Sequence, residues 1–362
     1  MMNNYKRIVV KVGSNVLTRA DGMPDITRMS SLVDQIARLH SEGVQVILVS
    51  SGAVASGRGV MHSMEHLDSV SARQLFSAVG QVRLMNRYCD LFEQWGIVCG
   101  QVLTTKESLS TRRHYLNQRN CVETMLAGGV IPIVNENDTI SVSELMFTDN
   151  DELSGLLCTM MGADALIILS NIDGIYDGNP AEPTSKVVRR VGIGQGLDQY
   201  IQTSRSSCGR GGMGTKSRIS QKVAAEGIEV IIANGTRPGI LTDLVLGDKD
   251  VVCTRFEPAA KTTSGVKMWI AHSEGFAKGE LHLNEGACQA VLESRAASIL
   301  PVGVVRVEGD FERDDIVRIF DHRGVAIGVG RASIDSDTAR SQLGVKGAKP
   351  IVHYDYMYIE TV

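Results

Sequence analysis

The sequence predicts an α/β fold: a three-layer αβα sandwich around a mainly parallel sheet, followed by a small, mostly β domain. Six short runs of Val, Ile and Leu, apolar on both faces, alternate with helical patterns over residues 1–256. Strands buried on both faces and joined by helices are parallel strands covered on both sides. Beyond about Phe256 the alternation stops, and short β segments separated by turn residues replace it.

Each element has its own signal. The run RIVVKV at residues 7–12 is β-branched and ends at Gly13-Ser14-Asn15, a strand followed by a turn. Met29, Leu32, Val33, Ile36 and Leu39 recur at the helical period over residues 28–42, and Gly43 stops that helix. VQVILV at 44–49 is the second strand and runs into Ser50-Ser51-Gly52-Ala53. Helical stretches at 73–94, 115–127, 151–162 and 216–225 then lead to strands at 97–103, 130–134, 165–169 and 228–233. Residues 257–278 form a linker, and 279–362 form the small domain, with β segments at 302–307 and 316–320 and one helical pattern at 287–295. The large α/β domain is therefore expected over 1–256.

Composition excludes several classes of function. With 43% hydrophobic and 22% charged residues the chain can bury a full core, and a formal charge of −4 argues against a general polyanion-binding surface. Seven scattered cysteines, odd in number and without a CxxC spacing, read as reduced thiols of a cytoplasmic protein and not as a zinc site. No signal-peptide pattern and no apolar span near membrane length are present, so the expectation is a soluble, cytoplasmic chain with no membrane partner.

In open α/β sheets ligands bind beyond the carboxyl ends of the strands. That rim collects Gly13-Ser14, Ser51-Gly52, Asn135–Asp138, residues 170–173 and Asn234-Gly235. Two polar clusters stand out there, Asn135-Glu136-Asn137-Asp138 and Asp149-Asn150-Asp151-Glu152, each beside an apolar element. Buried without partners, such groups would each cost a few kcal/mol, so they are either solvated or aimed at a polar ligand. The segment CGRGGMGTKS at 208–217 offers glycines and a cation before a helix, the ingredients of a phosphate loop. Its spacing differs from Walker A by one residue and no apolar strand precedes it, so a flexible surface loop competes. Lys11, inside the first strand, needs an anionic partner if buried; a lysine on an edge strand is the alternative. Ser51-Gly52 at a helix start is either an anion seat or a plain β–α turn.

Other motifs fall away. His62 and His66 occur as HSMEH, not HExxH; Gly192–Gly196 lacks dinucleotide spacing; the first loop lacks GxGxxG, and no GxSxG elbow occurs. Two lysines, a glycine loop and a rim of Asp and Asn fit phosphoryl transfer, where the protein positions reactants and neutralises charge.

These segments carry a family likeness. VVKVGSNVLT (9–18), VSSGAVASG (49–57), GVIPIVNENDT (129–139), DNDELS (149–154), NIDGIYDGNP (171–180) and GGMGTK (211–216) resemble, in order, the glutamate 5-kinase family of the amino-acid-kinase fold. The tail with SILPVGVVRVEGDFERDDIVRI is similar to a PUA domain. The resemblance implies ATP-dependent phosphorylation of the γ-carboxylate of L-glutamate, the first step of proline biosynthesis. It implies that Ser51, Asp138 and Asn150 hold glutamate, with Asp138 suited to the ammonium and the Asn150 amide to the carboxylate. Lys11 and Lys216 would contact the transferring phosphoryl group, with Asp151 orienting them. Ser170, Asn171 and the loop Arg210, Gly211, Gly212, Met213, Gly214, Thr215 and Lys216 would contact the nucleotide, as would Lys11. Mg²⁺ is expected on the nucleotide phosphates, with no protein metal site. The resemblance further implies a homo-oligomer, proline as feedback inhibitor and hand-off to glutamyl-phosphate reductase. Residues 139–148 would cover the amino acid. The sequence departs from the family at Asn171, where Asp is common, at Arg210, where a small residue is common, and at Asp314-Asp315, where Gly-Asp is usual.

Two other readings compete. A related amino-acid kinase would act on N-acetylglutamate, aspartate or carbamate, but an acetylated amine has no use for a carboxylate such as Asp138. An RNA-binding protein would act through the PUA-like tail, but between Leu281 and Val362 twelve acidic residues face nine basic ones, so RNA binding is not expected.

Overall fold

The computed structural model describes residues 5–61, 67–106, 109, 112–141, 149–197, 212–247, 250–260, 270, 277–293 and 297–359. The chain divides into two compact units, one of Met1–Lys106 with Asn117–Lys261, the other of Glu107–Leu116 with Thr262–Val362.

The first unit is built on β1 (Arg7–Val12), α1 (Ser14–Leu17), α2 (Ile26–Ser41), β2 (Gln45–Ser50), α3 (Ala53–Arg58), α4 (Ser69–Glu93) and β3 (Cys99–Thr104). It continues through α5 (Arg112–Ala127), which belongs to this unit from Asn117 on, β4 (Ile131–Glu136), α6 (Asn150–Met161), β5 (Ala165–Ser170), β6 (Arg190–Val191), α7 (Met213–Ala225), β7 (Glu229–Asn234), α8 (Ile240–Val245) and β8 (Thr254–Phe256). The strands form one sheet in the order β3-β4-β2-β1-β5-β7-β8-β6. All six strands expected from sequence are present and pair in parallel. The sequence pattern missed β8, which runs antiparallel to β7, and the two-residue β6, because runs this short carry no periodicity.

β1 lies at the centre, flanked by β2 and β5 in register, so Lys11 sits opposite Val49 on one side and Ile168 on the other. The edge-strand reading of Lys11 therefore fails. Side chains alternate across a strand: Ile8, Val10 and Val12 join the core beneath α2 and α4, which leaves Val9 and Lys11 on the opposite face. α6 and α7 pack against each other on the unit's other helical layer, where Gly155 lets the methyls of Ile219 and Val223 come within 3.0 Å of where a Cβ would stand.

α3 and α4 meet through two glycines. A Cβ on Gly80 would lie 1.8 Å from the Ala53 carbonyl oxygen, and one on Gly57 would lie 1.9 Å from that of Phe76. This contact sets the height of α4, which matters below. Gly80→Ala should destabilise the first unit by about 3 kcal/mol, the upper range for overpacking, measured by urea unfolding.

The second unit holds β9 (Gly279–Leu283), α9 (Glu285–Glu293), a 3₁₀ turn (Pro301–Gly303), β10 (Val304–Gly309), β11 (Ile316–Phe320), β12 (Ala326–Ala332), α10 (Ser336–Ser341) and β13 (Val352–Ile359). Its sheet has the order β10-β9-β11-β12-β13 around a core of Leu281, Leu283, Val317, Ile319 and Val352. A second helix, α10, interrupts the strands where the sequence suggested one only; it is a single capped turn and a half, with Asp335 accepting from Thr338 N. Asp314, at the departure noted from the family pattern, has φ +76° and is the one non-glycine among the described residues in that region. L-residues are strained there by about 1 kcal/mol. Asp314→Gly should therefore unfold at a higher temperature than Asp314→Ala, by about 1 kcal/mol in stability.

Candidate active site

The first turn of α6 organises the site. Asp149 is its N-cap: Oδ1 accepts from the backbone N–H of Asp151 (2.9 Å) and of Glu152 (3.1 Å). This cap points the next acidic side chain, Asp151, into the unit, where it is fully buried. Its two oxygens take one lysine each: Lys11 Nζ lies 2.6 Å from Oδ1, and Lys216 Nζ lies 2.8 Å from Oδ2. Lys11 comes from the carboxyl end of β1 and Lys216 from the first turn of α7, which starts after Gly212. Both lysines are buried, at 4% and 9% exposure.

Burial by itself raises the Asp151 carboxyl, but the charges of Lys11 and Lys216 and their hydrogen bonds together outweigh it and hold Asp151 below the usual carboxylate range. Asp149 goes the other way: burial, then the charge of Asp151, pushes it up to about 6 against a partial pull from the lysines. Its Oδ2 is buried and has no hydrogen-bond partner among the described residues. Lys11 and Lys216 thus face Asp151, and Asp149, whose charge acts on both lysines, adds a second carboxylate to the cluster as it ionises. Two buried ammonium groups at the sheet's carboxyl rim suit an anionic ligand.

A second cluster adjoins it. Asn150 Nδ2 donates to Ser51 Oγ and to Asn135 Oδ1, each at 3.0 Å. Asn135 Nδ2 in turn donates to Gln81 Oε1 at 2.9 Å, and Gln81 Nε2 is a buried donor without an acceptor among the described residues. Asp138 and Glu136 are both buried, and Arg73 of α4 pairs with each, reaching Glu136 Oε2 at 3.5 Å. Ser77 Oγ donates to Asp138 Oδ2 at 3.4 Å, Gln74 Nε2 to the Thr139 carbonyl at 2.8 Å, and Ser141 Oγ to Glu136 Oε1 at 2.9 Å. Arg73, Ser77 and Gln81 lie four residues apart on one face of α4 and were missed by sequence reasoning. The available signal was a polar stripe at helical spacing on a face that also buries Gly80 and Leu84.

At the ends of β5 and β7 lies a third group. Ser170, 8% exposed, ends β5, and its Oγ donates to Asn171 Oδ1 at 3.4 Å. Asp173 accepts a two-pronged pair from Arg237 (2.7 Å twice) and a bond from Asn234 Nδ2 (3.0 Å). Those hydrogen bonds and the Arg237 charge overcome burial and lower its pKa. The sequence pattern gave no hint of Arg237, which is 64 residues away along the chain. Gly212 through Lys216 lead into and open α7, while Arg210 and Gly211, like His62, His66 and residues 142–148 of the expected cover, lie outside the described residues. Among the described residues the three-ligand cluster close enough to grip a metal is Glu280, His282 and Glu308 of the second unit, where Arg306 already bonds the imidazole. No helix among the described residues is long and apolar enough to cross a membrane.

A central parallel sheet with a cation pair at its carboxyl rim suits the class of small-molecule phosphotransferases. The amino acid kinase family model matches residues 6–234, and the PUA domain model matches 279–354. Carbamate kinase from Giardia lamblia superimposes with a TM-score of 0.51 at 17% identity, over 71% of this chain and all of that one, a likeness of fold alone. The chain is 64% identical to the glutamate 5-kinase of Bacteroides thetaiotaomicron over 99% of its length and 100% of that protein's. It is 48% identical to that of Chlorobaculum tepidum over 98% of both. The chain belongs to the glutamate 5-kinase family.

The raised Asp149 carboxyl makes a signed prediction. A carboxyl whose pKa is higher folded than unfolded weakens the fold as pH rises from its unfolded value, 3.8, to its folded one, about 6. Asn caps a helix as well as Asp does. Asp149→Asn should therefore gain stability relative to the parent between these pH values, on the order of 2–3 kcal/mol, as followed by denaturant unfolding at each pH.

Proposed function

We propose that this chain transfers the γ-phosphoryl group of ATP to the γ-carboxylate of L-glutamate, giving L-glutamyl 5-phosphate and ADP, the first step of proline biosynthesis. The observation that carries the reading is Asp151 buried between Lys11 and Lys216, each within 2.8 Å of one of its oxygens. The reaction brings two anions together. A carboxylate oxygen of glutamate forms a bond to the γ-phosphorus while the bridging oxygen to ADP leaves with the electron pair, so negative charge must be offset on both sides. Lys11 and Lys216 supply that charge from fixed positions, and Asp151 keeps both ammonium groups aimed at one place.

Glutamate's γ-carboxylate, with an ordinary pKa near 4.3, is already ionised at pH 7, so no general base is required. Asp151, held ionised by its two lysines, is an organiser of cations and not a proton acceptor. Because both its oxygens are committed, a divalent metal such as Mg²⁺ would be carried chiefly by the nucleotide's own phosphate oxygens and would supply further charge neutralisation there. Ser170, Asn171 and the Gly212–Lys216 segment line the side assigned to the nucleotide. The acidic pair Asp138 and Glu136 favours a substrate with a free ammonium over an acetylated one. A cytoplasmic homo-oligomer, inhibition by proline and transfer of the labile acyl phosphate to glutamyl-phosphate reductase belong to the same reading. In the second unit, arginines 306, 318, 331 and 340 pair with carboxylates, which supports a structural or regulatory tail over RNA binding.

Incubation with ATP, Mg²⁺ and hydroxylamine should give hydroxamate from L-glutamate and far less from N-acetyl-L-glutamate; the reverse order would overturn the substrate. Lys216→Ala should lower turnover by about 100-fold or more while circular dichroism stays native. A near-normal rate in that variant would remove Lys216 from the mechanism.

A further inference from the structure

This inference rests on the glutamate reading and concerns how the α-carbon of the substrate is recognised. Both amide hydrogens of Asn150 are spent inside the protein, on Ser51 Oγ and Asn135 Oδ1. What the side chain has left is an acceptor, suited to an ammonium and unsuited to the α-carboxylate expected from sequence. Lys11 and Lys216 are committed to Asp151 at the phosphoryl end. The α-carboxylate needs a donor elsewhere. Ammonium and carboxylate share one carbon, so the group that holds the second must stand beside the group that holds the first.

Arg73 stands there. Its Nη2 forms an ion pair with Asp138 and reaches Glu136 at 3.5 Å. Its side chain keeps 20% of its surface exposed, against 10% and 6% for the two carboxylates, so the guanidinium is the more accessible partner. The contact of α4 with α3 at Gly80 and Gly57 and the bond from Gln74 to the Thr139 carbonyl hold the start of α4 over this end of the site. Asp138 and Glu136 place two carboxylates at one guanidinium, and an incoming ammonium can pair with the one that Arg73 releases. The planar guanidinium, with five N–H donors, matches a carboxylate in a way that a point charge does not.

We propose that Arg73 is a specificity-determining residue that takes the α-carboxylate of the amino acid as the substrate's ammonium replaces it at Asp138. The substrate exchanges one internal ion pair for two external ones. Glutarate, which lacks the ammonium, and 4-aminobutyrate, which lacks the α-carboxylate, each satisfy half of this arrangement.

The test compares the full-length parent, Arg73→Lys and Arg73→Gln by steady-state kinetics with L-glutamate, and by competitive inhibition with glutarate and with 4-aminobutyrate. In Arg73→Gln the KM for glutamate should rise at least about 10-fold, the loss expected for a charge-assisted hydrogen bond, with kcat changed less than about 3-fold. The inhibition constant of glutarate should rise with it, while that of 4-aminobutyrate should stay within about 3-fold of the parent's, since that molecule has nothing for Arg73 to hold. Arg73→Lys should fall between the two, since it keeps the charge and loses the fork. An unchanged KM in Arg73→Gln would overturn the proposal. So would an equal weakening of glutarate and 4-aminobutyrate, or a loss of kcat at constant KM, in whichever of the two variants melts like the parent. Turnover of L-glutamate by the parent bears on the function itself; if the parent is inactive that reading fails, and if only the Arg73 pattern is absent this inference fails alone.

Discussion

One buried carboxylate holding two buried lysines is the interaction on which the rest of the site depends. Taken singly, each of these charges would be destabilising in the interior, and the desolvation of three of them is offset only because Asp151 meets a lysine with each oxygen. A protein optimised for stability alone would fill these positions with apolar residues; this one keeps two buried ammonium groups and a buried carboxylate at the rim of its sheet.

The sheet explains why the three charges can be held so closely. Lys11 rides on the central strand, locked in register on both sides, and the two-residue alternation turns it towards α6. The Asp149 cap fixes where α6 begins and so where Asp151 points. Lys216 arrives from the first turn of a helix that packs on α6 through Gly155. Three separate elements thus converge without any long, adaptable loop between the charges and the scaffold. The end proposed for the amino acid is built differently, from a helix face: α4 is brought in by a glycine contact and presents Arg73, Ser77 and Gln81 in a row.

What the sequence disclosed follows from this difference. Lys11, Asp151 and Lys216 were legible because each sits in a short segment whose neighbours announce it: an apolar strand, a polar helix start, a glycine-rich approach. Ser51 and Asn150 were legible for the same reason, and the structure joins them by a hydrogen bond. Arg73 was not, because its partners Glu136 and Asp138 lie 63 and 65 residues away and nothing local marks an arginine on a helix as paired with buried carboxylates. Arg237 at Asp173 escaped for the same reason. The strands β6 and β8 escaped because two or three residues cannot display an alternation. Asn150 was read as a carboxylate donor from its chemistry alone; only the fold shows that its two N–H groups are already in use.

The central claim is that Asp151 acts by holding charge and never by accepting a proton. The dependence of kcat on pH, compared between the parent and Asp151→Asn protein that retains its native circular dichroism, tests this most directly. The account predicts a large drop in rate at every pH with the shape of the profile preserved. An ionisation that shapes the parent's profile and disappears in Asp151→Asn would contradict it.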